Sequence, residues 1–191
     1  MMRLIIKLIV FVSACNYNCG RSNSGAELPS ADELKYKIGD CLYFNTSDST
    51  YGCLVVCDFS KEVGGIWYGT FYTGYDSPKI PTLQSIKEEK VMGRKVESGI
   101  DKAGFITALD GDFIIDTLFT NTNFFKLLGN INLRPIDLGS HGAITSMSVL
   151  KLLFQQRKQI RLKPPDHYSE HINKLDKFHP EEYFEMKDFI K

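Results

Sequence analysis

A chain of 191 residues, 43% of them hydrophobic and 12% aromatic, has material for one domain-sized core. Lysine and arginine number 23, as do aspartate and glutamate. There is no basic excess of the kind a nucleic-acid binder carries, and that class is set aside.

The chain opens with Arg3 and Lys7 around a short apolar run that continues from Leu8 to Val12. Even counted from Leu4, the run has Lys7 inside it and falls short of the roughly 20 apolar residues that cross a bilayer. A charged start, a short apolar stretch and the small residues Ser13 and Ala14 make a secretory signal over residues 1–14. "VSAC" then resembles the bacterial lipobox, in which the cysteine becomes the first mature residue and carries lipid. The resemblance implies lipidation at Cys15, a membrane partner through that lipid, and a place in the cell envelope, on the periplasmic face or the cell surface. Loss of two cations from a balanced chain leaves a net charge of −2 with histidine neutral. Residues 15–33, rich in Asn, Ser and Gly, are predicted to form a flexible tether. No role follows for Cys19.

Residues 34–191 are predicted to form one α+β domain: a small antiparallel, partly closed β-sheet or barrel followed by a helical C-terminal part. The strand-rich region runs over 34–116 and the mixed and helical region over 117–191. "GDCLYFN" and "YGCLVVCDF" read as strands around the polar turn "TSDST". A pairing centre near Ser49 sets Cys41 opposite Cys57, and a centre near Ser47 sets it opposite Cys53. Both leave a disulfide open, as does the reading of all three as small buried hydrophobes. "GIWYGTFYTG" is an aromatic strand, "DSPKIPT" a turn, and "SIKEEKVMG" and "GFITALDGDFIID" further strands or short elements, with Asp110–Gly111 marking a turn. "AITSMSVLKLLFQQRKQ" is the best helix: Ser or Thr at 145–146 caps it, Met147, Leu150, Leu153 and Phe154 share a face, and Lys151, Arg157 and Lys158 point towards solvent or the end of the dipole. Pro180 opens a last short helix over 180–190.

The residues that carry chemistry do not assemble. His167 and His171 lie four apart, with His179 and Glu181 near, but the Glu of H-E-x-x-H is missing, so the pair reads as a solvated face. "LGSHGA", with Ser140 and His141, reads as a capping turn before the main helix; its backbone N–H groups are a possible anion cradle. Asp110, Asp112 and Asp116 have turn spacing and miss the calcium-loop pattern. No P-loop, dinucleotide fingerprint or nucleophile elbow occurs. The expectation is a protein that is not an enzyme and has no cofactor, no metal and no nucleic-acid partner.

"YKIGDCLYFNTSDSTYGCLVVCDF" followed by "GIWYGTFYTG" resembles the opening of the immunity protein 26 family of bacterial toxin systems. There a "GD" precedes a strand, then come a polar turn, a glycine and a second strand; Gly39, Asp40, Phe44, Tyr51, Gly52 and Val56 match here. The resemblance covers about a third of the chain. It implies a protein whose partner is a cognate toxin that it binds and neutralises in the envelope. The alternative is a small envelope lipoprotein that binds a ligand, or an envelope protein during assembly. The anchors expected for a protein partner are aromatic and acidic: Trp67, Tyr72 and Tyr75 on or beside the aromatic strand, and Asp110 and Asp112 at a turn tip. Alternation places Trp67 and Tyr72 on opposite faces, so one of them is exposed unless helices cover the second face.

Overall fold

The computed structural model describes residues 29–46, 49–62, 64–97, 105–121, 123–162 and 182–191. The predicted signal, Cys15 and most of the predicted tether lie outside these residues. So do His167, His171 and His179, and the side chains of Ser140 and His141.

The elements, in chain order, are β1 (Asp40–Asn45), β2 (Tyr51–Glu62), β3 (Gly65–Ser77), α1 (Leu83–Lys87), β4 (Lys90–Glu97), β5 (Phe105–Ile115), α2 (Asp116–Phe119), β6 (Lys126–Asn130), β7 (Asp137–Ile144), α3 (Met147–Leu162) and β8 (Glu182–Glu185). A 3₁₀ turn precedes β1 at Ala31–Glu33 and another follows β8 at Met186–Phe189. The strands form one sheet in the order β6-β1-β2-β3-β4-β5-β7, with β8 added to β4 and a further β3–β5 pairing.

This corrects the expected fold class. The described residues are mostly strand, and strands continue past residue 116 as β6, β7 and β8. The sheet is mixed, because β5 and β7 run parallel. It is not closed, since β6 and β7 end the path. Among the described residues, the helical C-terminal part is α3 and the 3₁₀ turn at Met186–Phe189. Where a helix was expected over 180–190, Glu182–Glu185 pairs antiparallel with β4, Phe184 opposite Val91 and Tyr183 opposite Met92. Met186 then buries completely. A ladder to β4 and a buried methionine outweigh the weak helix preference of so short a segment.

The β1–β2 hairpin settles between the two expected registers. Cys41 lies opposite Val55 and Tyr43 opposite Cys53, so Cys41 is diagonal to both Cys53 and Cys57. Cross-strand diagonals are about 7–8 Å between Cα atoms, beyond the reach of a disulfide without backbone movement. All three cysteines are free and buried.

Both faces of the sheet carry a buried cluster, and of the two residues placed on opposite faces Tyr72 is buried while Trp67 stays part-exposed. One cluster gathers Leu42, Phe44, Leu54, Tyr68, Tyr72 and Ile114 with Phe119, Leu150 and Phe154 from α2 and α3. The other gathers Cys41, Cys53, Val55, Phe71, Val91 and Leu109 with Ile86 of α1 and Met186. Helix α3 keeps its predicted cap: Ser146 Oγ accepts from the Val149 N–H at 3.4 Å. Its apolar face packs as expected, with Leu150 and Phe154 buried and Met147 and Leu153 against the same cluster. Gly52 makes room for it, since a Cβ there would lie 2.8 Å from the Phe154 ring and 2.9 Å from that of Phe44.

Candidate functional site

Asp110 and Asp112 are two apart on β5 and therefore share a face. They do not sit at a turn tip. The "DGD" stretch runs through the strand interior, paired to β3 with Thr70 opposite Asp112 and Phe71 opposite Gly111. Gly111 is there for close approach rather than for a turn: a Cβ on it would lie 2.0 Å from the Thr70 carbonyl oxygen. The Thr70 hydroxyl tightens the same contact by donating to the Asp112 carbonyl at 3.1 Å.

The two carboxylates meet Arg157, which arrives from α3. One guanidinium nitrogen pairs with Asp110 Oδ2 and the other with Asp112 Oδ2 at 2.9 Å. The Tyr72 hydroxyl donates to Asp112 Oδ2 at 2.9 Å. The guanidinium carbon stands 4.6 Å from the centre of the Tyr72 ring. All four side chains are buried. Burial raises the Tyr72 phenol well above its ordinary range; the Asp112 carboxylate adds to the rise and the Arg157 charge opposes it. Arg157 was expected to face solvent. Its spacing carried the opposite signal: it lies three residues after Phe154 and seven after Leu150, on the apolar face of α3.

This arrangement is an internal tie. It joins β3, β5 and α3 with charges that would be costly to bury singly. It corrects the placement of Asp110, Asp112 and Tyr72 as outward anchors. Tyr75 is also inward, in the second cluster, with its hydroxyl donating to the Lys79 carbonyl at 2.8 Å. Trp67 alone of the five keeps surface. Its ring is part-exposed at the start of β3, opposite Ser60 and Ile115. Its Nε1–H is buried without a hydrogen-bond partner.

The "LGSHGA" stretch, expected as a capping turn, is part of β7. Its backbone is spent on pairing with β5, with a register shift between Gly111 and Phe113. The thiols are held protonated: burial pushes Cys41 up to about 12 and raises Cys53 and Cys57 as well. Among the described residues, no group of three or more His, Cys, Asp or Glu could hold a metal ion. No described helix is long and apolar enough to cross a membrane. No protein-family model matches the chain, and no curated protein or solved structure matches it either.

Proposed function

We propose that this chain is an exported, lipid-anchored binding protein of the cell envelope, and that its partner is a protein toxin which it neutralises. The address rests on the charged apolar start and "VSAC", with lipid on Cys15. The toxin partner rests on the strand–turn–strand opening around Gly39, Asp40 and Gly52.

The observation that carries the binding reading is Trp67. It is the chain's one tryptophan. The residue is part-exposed, while its buried indole N–H lacks an acceptor among the described residues. An unsatisfied buried donor costs about 1–3 kcal/mol. A partner that closes over the ring, or lets it turn, supplies the missing acceptor, and tryptophan is the residue most enriched where binding energy concentrates. The buried aspartates do not contribute a surface. They hold the sheet and α3 in the shape that presents Trp67.

The test is protection in the native host. The product of the neighbouring gene is expressed in the envelope as the candidate toxin. The parent protein is expected to restore growth from the membrane fraction. Cys15→Ala is expected to leave the membrane or remain unprocessed and to protect poorly. Full processing and membrane retention of Cys15→Ala would contradict the anchor; growth inhibition that the parent does not relieve would contradict the toxin partner.

A further inference from the structure

Strand β6 ends the sheet on one side and pairs only with β1, from Asp40 opposite Asn130 to Tyr43 opposite Lys126. Among the described residues no segment bonds to its outer edge. Leu83 of helix α1 lies over the sheet face, where a Cβ on Gly129 would stand 2.6 Å from it. Folded proteins blunt such edges with charge, proline or a covering loop. Here the edge is apolar. Leu127 is 55% exposed, Phe124 39% and Ile38 49%, and Asn130 ties the Ile38 segment to the strand through a 3.0 Å bond to its carbonyl. The exposed charged side chains of this strand and of residues 34–39 entering β1 are cations: Lys126, Lys37, and Lys35, whose ammonium donates to the Thr120 carbonyl at 2.6 Å. Asp40, the nearby acid, is buried and takes hydrogen bonds from the Lys37 N–H and from Asn130.

We infer that the outer edge of β6 is a docking site for an extended, acidic segment of a partner protein, which adds a strand beside Lys126–Asn130. The backbone of β6 supplies the ladder. Leu127 receives an apolar side chain on one face of the added strand, Phe124 extends the apolar surface just before β6, and Lys37 and Lys126 receive carboxylates. The surface is separate from Trp67, three strands away in the sheet order. The inference rests on the reading of the chain as a binding protein, and its test does not involve the toxin.

The probe is a blocked decapeptide that alternates valine with glutamate, added to the full-length protein. Amide hydrogen exchange is followed residue by residue. The expected result is saturable slowing at residues 126–130 by at least about tenfold. Replacing glutamate by lysine in the peptide, or Lys126→Glu in the protein, is expected to weaken binding about tenfold. Leu127→Glu, on an exposed side chain, leaves the fold intact and abolishes the slowing. Trp67→Ala leaves peptide binding unchanged, so failure at β6 is distinguishable from failure of the toxin reading. No slowing at 126–130, equal slowing by the lysine peptide, or slowing that depends on protein concentration without peptide overturns the proposal; the last outcome means that a second copy occupies the edge.

Discussion

At the residue scale, the Arg157–Asp110–Asp112–Tyr72 group is the most constrained part of the molecule. Three ionised side chains and a phenol share one buried space. Removing the Arg157 cation takes from both carboxylates their described ion-pair partner in a medium that disfavours either charge. Arg157→Met is therefore expected to lower stability by about 3–5 kcal/mol, read from urea unfolding. Adding Asp110→Asn and Asp112→Asn to that variant removes the stranded charges and recovers a large part of the loss. A change within about 0.5 kcal/mol for Arg157→Met would mean that the ion group lies at the surface. The sequence concealed this group for a physical reason. "DGD" is a common turn signal, because Gly accepts unusual backbone angles and Asp bonds locally. At Gly111 the glycine serves instead to bring β3 and β5 together. Only the partner strand decides between the two roles, and pairing between β3 and β5 is not written in either segment alone. The placing of Trp67 and Tyr72 on opposite faces was legible; the inward turn of Tyr72 and Tyr75 was not, because it depends on which sheet faces are covered.

At the element scale, local signals held where an element carries its own instructions. The N-cap and apolar face of α3 read correctly from Ser146 onward. The two strands around the polar turn also read correctly, though their register fell between the two expected centres. Elements whose identity comes from a distant partner did not. Residues 182–185 become a strand because β4 offers an open edge, and 137–144 become a strand because β5 does. The hairpin register has a chemical consequence. With Cys41 opposite Val55, the three buried thiols are close without being aligned for a bridge. Their raised values favour the neutral thiol in the folded state. The stability that this contributes is complete below the unfolded value near 9.0 and is lost as pH rises through the folded values, about 12 for Cys41. Folded protein with Cys15→Ala and Cys19→Ala is thus expected to leave Cys41, Cys53 and Cys57 unreactive towards a thiol reagent at pH 8, and to release three thiols on unfolding. Fewer than three released without reductant would establish a disulfide and contradict the observed register.

At the scale of the whole molecule, the fold is one bent, mixed sheet covered on both faces, with the chain's last residues built into it. Leu133 bridges to Ile190, and the Lys191 N–H donates to the Asn132 carbonyl at 2.8 Å. What remains for function is the surface rather than the interior. The internal charges are committed to Arg157 and the thiols are held protonated. Trp67 has a buried indole N–H without an acceptor among the described residues, and β6 has an outer edge to which no described segment bonds, beside apolar area. The central claim is that Trp67 anchors a protein partner. Calorimetric titration of folded Trp67→Ala and of the parent against the candidate toxin, the product of the neighbouring gene, tests it most directly. A loss of at least about 2 kcal/mol, roughly 30-fold in affinity, with an unchanged unfolding midpoint is the predicted result. Equal affinity of the two proteins for the toxin would contradict it.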